Sequence, residues 1–347
     1  MESLVKRTPF LEIFCGTGGV GKSTLAASRA LFLAKQNKKV LLITIDPAKR
    51  LREIFGLKLR ESGEIKEVSL DHFYDDHQGT LDVLLLHPHA TLKRMAQDEA
   101  ENRLLKILTK PHGGTNEIMA VLELNHHFQN AEHDVIILDT APGKHFIDFL
   151  EAADKIKTFF DQSFVEIFLA LEKKMKGQKE IKQGWGIFSN LMGQGIKKLL
   201  DAFGQVTGAN FIDEFVEAIN VLYRNKDTFL DALQLQERLK KDKNCCWYLV
   251  ACAEQDKIRE ALELEQSAKG FLHHQNTLIL NKCLKSHLES WSPEDENLKQ
   301  IKRAIHLKEE ALLEVVQNQF VDILEFPQTI EDSIKKQVVS LSEHWKK

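Results

Sequence analysis

Short apolar runs recur along the chain, and segments in which apolar residues follow helical spacing separate them. Most runs are apolar throughout rather than alternating with polar residues, which is typical of strands covered on both faces. Strands that alternate with helices predict a mainly parallel sheet flanked by helices, with ligands at the carboxyl ends of the strands. The predicted strands are residues 11–15, 40–45, 81–87, 134–139, 247–252, 277–281 and 321–326.

The interval between the fourth and fifth predicted strands departs from this alternation. Residues 154–243 contain amphipathic helical patterns without a strand pattern, and they are rich in phenylalanine. We therefore predict one α/β domain built from residues 1–153 and 244–347, with an α-helical insertion over residues 154–243. The phenylalanine spacing favours ordinary core packing, and a groove that receives an apolar helix is the alternative.

Composition narrows the classes of function. The 347 residues carry a net charge of −4, with 43% hydrophobic and 28% charged residues, which is typical of a globular protein. This charge gives no basic field for nucleic acid, so no nucleic-acid partner is expected. No apolar run reaches the roughly 20 residues that cross a bilayer, and the first residues lack a secretory pattern. We expect a cytoplasmic protein whose membrane contact is at most peripheral.

Three smaller patterns give further expectations. The five cysteines form no CxxC pair, so we expect reduced, buried thiols. The adjacent His126 and His127 are expected at the surface. The amphipathic C-terminal segment, residues 330–347, carries both acidic and basic residues, so we expect it to pack on the sheet; a membrane anchor is the alternative.

The segment GTGGVGKST is the strongest motif in the chain. It fits GxxxxGK[ST] and lies between a predicted strand and a predicted helix, the context in which this motif is specific. Its glycines let the backbone approach phosphates closely, while successive N–H groups, the helix N-terminus and the lysine face the anion. The sequence thus predicts a P-loop NTPase fold, with a nucleotide-binding loop of Gly16, Thr17, Gly18, Gly19, Val20, Gly21, Lys22, Ser23 and Thr24.

Two aspartates follow neighbouring predicted strands. Asp46 lies in TIDPAKRL and Asp139 in LDTAPGKH, and both are expected at the edge of the sheet that carries the loop. A hydroxyl and two carboxylates are suitable ligands for Mg²⁺, so Ser23, Asp46 and Asp139 form the predicted metal set. The structural alternatives are an Asp-Pro turn at position 46 and a cap at position 139.

These motifs resemble those of the ArsA-type ATPases, the family of the arsenite-pump ATPase and the tail-anchored-protein targeting ATPase. The resemblance rests on GGVGKST, TIDPAKRL and DTAPGKHFIDFL and extends over nearly the whole chain. It implies ATP and Mg²⁺ as ligands, and Asp46 as the residue that orients the attacking water. It implies that His145 lies in switch II, that Asn281 reads adenine, and that Phe326 and Pro327 lie beside the base.

The resemblance also implies a nucleotide-driven switch. By analogy we expect a homodimer, or a dimer with a paralogue, that gates an unknown protein partner or client through the helical insertion. The predicted function is Mg²⁺-dependent hydrolysis of ATP to ADP and phosphate. The alternative is a nucleotide-gated binding module, or a chaperone for apolar helices, with negligible turnover. The cysteine pattern argues against a metalloid site in the insertion, because residues 16–244 contain no cysteine.

One position departs from the family pattern. The loop has Thr17 where the family usually has a lysine that reaches across a dimer to the partner's nucleotide. Phosphoryl transfer needs positive charge against the developing negative charge. We therefore expect Arg50 or Lys144 to supply that charge, which gives a catalytic set of Asp46, Lys22, Arg50 and Lys144. The alternative is that Arg50 and Lys144 are solvated surface charges.

Overall fold

Eight strands form a single sheet in the computed structural model, in the order β3-β4-β2-β5-β1-β6-β7-β8. The structure describes residues 10–45, 49–58, 61–95, 115–143, 145–151, 227, 231, 244–271, 276–320 and 322–345. The strands are β1 (Phe10–Gly16), β2 (Lys39–Thr44), β3 (Ile65–Val68), β4 (Thr80–Leu85), β5 (Val135–Asp139), β6 (Cys245–Cys252), β7 (Asn276–Cys283) and β8 (Asp322–Pro327).

The sheet is parallel except at one edge, where β3 runs antiparallel to β4. The predicted α/β P-loop class is therefore confirmed, and each of the seven predicted strands overlaps an observed strand. Strand β1 lies between β5 and β6, and its register pairs Phe14 with Asp139 and Gly16 with Val250. The carboxyl ends of these three strands consequently meet at one edge of the sheet.

Helices cover both faces of the sheet, and each face has its own apolar cluster. Alternate residues of β1 belong to these two clusters. Leu11 and Ile13 pack in one cluster and Phe14 in the other, as the period of two along a strand requires. A 3₁₀ turn spans Leu70–His72, and residues 145–151 are helical. The remaining helices are α1 (Lys22–Lys35), α2 (Lys49–Phe55), α3 (Pro88–Met95), α4 (Thr115–Asn130), α5 (Gln255–Ala268), α6 (Lys285–Ser290), α7 (Glu296–Val316) and α8 (Ile334–Ser342).

The C-terminal helix α8 packs on the protein, as its amphipathic pattern predicts. Ser333 caps its N-terminus by accepting a hydrogen bond from the Lys336 amide. Just after the helix, Trp345 is 5% exposed. Its Nε1 donates to Ser28 Oγ of α1 at 2.8 Å, and the Arg29 guanidinium lies 5.0 Å from the centre of its ring. The last helix is thereby attached to the helix that follows the phosphate loop.

The predictions for cysteine and histidine had different outcomes. All five cysteines are free, and four of them are buried; burial raises the pKa of Cys15 to about 12. The surface prediction for His127 is wrong, because that side chain is 5% exposed and lies 2.9 Å from the buried Glu123 carboxylate. Its neighbour His126 is half-buried.

The predicted helical insertion, residues 154–243, lies outside the described residues except for Asp227 and Asp231, which are helical. Its boundaries and the domain division remain predictions. In the part of the chain that the structure describes, no helix has both the length and the apolar character that crossing a bilayer requires.

Candidate nucleotide-binding site

The predicted phosphate loop connects β1 to α1 at the carboxyl edge of the sheet. Two of its glycines are required by their surroundings. Gly16 has φ 153°, and a Cβ there would lie 2.4 Å from the Val250 carbonyl oxygen; Gly21 has φ 95°, and a Cβ there would lie 2.3 Å from Asn281 Nδ2. The chain therefore turns tightly into α1, and the N-terminus of this 14-residue helix faces the loop.

The loop borders a cleft of about 340 Å³, in the range of small-ligand sites. Every predicted residue from Thr17 to Thr24 except Val20 lines this cleft, as do Arg50 and Asn281. The ends of β7 and β8 and one face of α8 form the opposite wall. The fold thus brings residues near the start of the chain, such as Thr17, into one cleft with residues near its end, such as Leu341.

A buried ion pair lies at the base of the cleft. Lys22 Nζ is 3.0 Å from Asp139 Oδ1, with side chains 6% and 0% exposed. Lys22 also donates to the Thr140 carbonyl, and the Thr44 hydroxyl donates to the second Asp139 oxygen at 3.1 Å. Strands β1, β2 and β5 position these groups, because their carboxyl ends are adjacent in the sheet. A cation and a carboxylate are thereby fixed beneath the loop amides.

The other predicted catalytic residues differ in what the structure describes. Arg50, in α2, lines the cleft, and its Nε is 3.5 Å from Thr24 Oγ1. Asp46 and Lys144 lie outside the described residues. The structure therefore places one of the two proposed substitute cations beside the loop.

The predicted base-side residues separate into two environments. Asn281 is 5% exposed, and its Nδ2 donates to the Val20 carbonyl at 2.8 Å. Pro327 lines the cleft. Phe326 does not; it is 1% exposed, and its ring centre lies 4.7 Å from that of Trp345. Phe326 therefore supports the wall from behind.

Sequence reasoning missed two polar groups in this wall. Lys282 follows Asn281 and donates from Nζ to the Gly19 carbonyl at 3.0 Å. Gln337, on α8, donates to Thr329 Oγ1 at 2.9 Å. The role of Lys282 depends on a contact with a loop that is distant in sequence, so no local pattern signals it. Nothing in the helical pattern of α8 distinguishes Gln337.

His145, matched by resemblance to the switch II histidine, begins the helical segment 145–151. Its side chain is 67% exposed, and its Nδ1 lies 3.4 Å from Glu117 Oε1 and 3.8 Å from Asp148 Oδ2. Gly143, two residues earlier, donates from its backbone N–H to the Gly16 carbonyl at 3.1 Å. The segment that the resemblance assigns to switch II is thus hydrogen-bonded to the start of the predicted phosphate loop.

These residues fit a nucleoside triphosphate and its magnesium ion. An added Cβ at Gly18 or Gly19 would meet no atom within 4 Å, so the loop leaves open space where phosphates would lie. Lys22 and Ser23 line the same cleft, and a hydroxyl at Ser23 and a carboxylate at Asp139 are the kinds of group that would hold Mg²⁺.

The sequence profile of the anion-transporting ATPases matches residues 11–332, nearly the whole chain. The chain belongs to this family. Family membership makes it a nucleotide-binding protein and an ATP hydrolase, as expected from its motifs.

The individual relatives have low sequence identity to this chain, but each match covers well over half of it. A protein of Aquifex aeolicus named as an arsenical pump-driving ATPase is 26% identical over 316 residues, which are 89% of each chain. The ATPase get3 of Aspergillus terreus is 27% identical over 225 residues, 64% of this chain and 60% of that protein. The ATPase ASNA1 homologue of Dictyostelium discoideum is 26% identical over 228 residues, 65% of this chain and 63% of that protein.

Proposed function

We propose that the chain is a Mg²⁺-dependent ATPase that forms ADP and phosphate and whose nucleotide state opens or closes a dimer. The observation that supports this most directly is the buried pair of Lys22 and Asp139, 3.0 Å apart beneath the loop. One partner carries the charge that phosphates need, and the other is a carboxylate suited to magnesium.

Each side chain has one task in this proposal. The loop amides and Lys22 bind the phosphates, and Ser23 and Asp139 hold the magnesium ion. Bound Mg²⁺ neutralises charge on the phosphate oxygens. Asp46 orients the attacking water, as the resemblance implies; in the chain it follows β2, the strand next to β5 in the sheet.

Arg50 is the better supported of the two substitute cations. Thr17 is uncharged, whereas Arg50 lies on the wall of the same cleft. An arginine at that wall can stabilise the charge that develops on the transferred phosphoryl group. Lys144 remains a second proposal from its position in switch II.

Single-turnover hydrolysis of radiolabelled ATP tests these roles. We expect Asp46→Asn to slow hydrolysis about 10²-fold or more while MgADP affinity is retained. Arg50→Ala should slow it about 10- to 10³-fold. Arg52→Ala, on the same helix, is the matched control. Unchanged hydrolysis in D46N contradicts the water-positioning role, and unchanged hydrolysis in both R50A and Lys144→Ala contradicts the substituted charge.

The alternative is a binding module in which ATP acts as a conformational ligand. Thr17 favours it, because the loop lacks the family's usual second lysine. If the wild-type rate does not exceed that of D46N although both bind ATP, this alternative replaces the enzyme. Sedimentation of D46N with MgATP, compared with nucleotide-free protein, tests the dimer. A pull-down under the same two conditions tests whether residues 154–243 engage a partner or client.

A further inference from the structure

We propose that Lys282 is a positioning residue of the phosphate loop: its ammonium holds the Gly19 carbonyl so that the loop amides face the nucleotide. The inference rests on the proposed function, because it assigns a residue to the same nucleotide site. It begins from a contact on the cleft wall, where Lys282 Nζ lies 3.0 Å from the Gly19 oxygen.

Lys282 acts together with Asn281. The two adjacent residues hold two consecutive carbonyls of the loop, since Asn281 Nδ2 donates to the Val20 oxygen at 2.8 Å. The peptides are trans, and in a trans peptide the C=O and the following N–H point in opposite directions. Turning the Gly19 and Val20 carbonyls towards β7 therefore turns the N–H groups of Val20 and Gly21 away from it. Successive amides turned the same way form an anion-binding concavity.

The backbone of Lys282 supports a functional role. Three described non-glycine residues have positive φ: Asn37 at 61°, Ala131 at 52° and Lys282 at 61°. Asn37 and Ala131 follow the ends of α1 and α4, where left-handed residues are common. Lys282 instead lies inside β7, where the pairing with β8 shifts register between Leu280 and Cys283.

A bulge at this point re-aims a side chain, as bulges beside active sites do. A lysine in the left-handed region is disfavoured relative to glycine, and such strain persists mainly where the surrounding structure or a function maintains it. The hydrogen bond from Lys282 to the Gly19 carbonyl explains why the left-handed conformation is maintained. A role confined to stabilising the fold would be served better by glycine at this position.

Substitution by glycine therefore separates the two roles. We expect Lys282→Gly to melt at or above the wild-type temperature, because it relieves the left-handed strain, yet to bind MgADP about 10- to 100-fold more weakly. Lys282→Met should lose affinity to the same extent, and Lys282→Arg should retain most of it. Ala131→Gly is the matched control, since it relieves the same strain far from the cleft without affecting affinity.

The measurements are calorimetric titration with MgADP and MgATP, thermal unfolding without nucleotide, and kcat at saturating MgATP. A positioning role weakens both nucleotides by the same factor and leaves kcat close to wild type. Wild-type affinity in K282G and K282M overturns the inference, and so does a fall in kcat with unchanged affinity. Lys22→Ala separates the two proposals: if it abolishes binding while K282M keeps wild-type affinity, only the role of Lys282 fails. If the wild type binds no nucleotide, the proposed function itself fails.

Discussion

Lys22 and Asp139 form a buried ion pair, with side chains 6% and 0% exposed. Replacing Lys22 by methionine leaves the Asp139 carboxylate, 0% exposed, with the Thr44 hydroxyl as its remaining described donor. Removing one partner of a buried pair costs about 3–5 kcal/mol, because the other charge stays buried and uncompensated. That is a large part of the stability of an ordinary domain, about 5–15 kcal/mol.

A double-mutant cycle of Lys22→Met and Asp139→Asn, followed by urea unfolding without nucleotide, measures the coupling. We expect each single variant to be destabilised and the double variant to recover much of the loss, since no unpaired charge then remains buried. Additivity within about 0.5 kcal/mol would show that the two side chains do not interact. In that case Lys22 and Asp139 would not form an ion pair in the nucleotide-free protein, and the geometric support for the proposed function would be lost.

Three further predictions concern neighbouring features. Burial opposes ionisation of Glu123, but hydrogen bonds from His127 and Arg94 hold its pKa at about 2, below the ordinary 4.5. Glu123→Gln should thus cost about 3 kcal/mol at pH 7, and the difference should vanish in unfolding experiments as the pH falls from about 4.5 towards 2; a constant difference would contradict this. Gly21→Ala should abolish MgADP binding in calorimetry, because its Cβ would lie 2.3 Å from Asn281 Nδ2; retained affinity would mean that the loop can rearrange. Trp345→Ala should lower stability by about 3–5 kcal/mol and Trp345→Phe by about 1 kcal/mol; an unchanged stability in Trp345→Phe would refute the contribution of the hydrogen bond to Ser28.

Apolar runs were sufficient to predict the buried part of the sheet. Strands β1, β2, β4, β5, β6, β7 and β8 all carry such runs, and all were predicted. Strand β3 was missed because its four residues, IKEV, place two charged side chains between two apolar ones, so no apolar run marks this edge strand. A short edge strand of this kind is specified by its partner β4 rather than by its own hydrophobicity.

The candidate site also contains residues that were predictable from the sequence and residues that were not. The phosphate loop and Asp139 were readable because glycine, lysine and aspartate at fixed spacing have a direct physical purpose there. Lys282 was not predicted, since its role depends on a bulge and on a loop 261 to 263 residues away in sequence. The burial of His127 was also unreadable, because it depends on a contact with the buried Glu123 carboxylate.

The attachment of α8 to α1 has a consequence for how the protein is made. The predicted phosphate loop comes from residues 16–24, while Pro327, Gln337 and Leu341 complete the far wall of the same cleft. During synthesis, the early part of the site must wait for more than 300 residues before its opposite side is complete. A growing chain therefore cannot enclose a nucleotide until α8 has emerged from the ribosome and Trp345 has docked against Ser28.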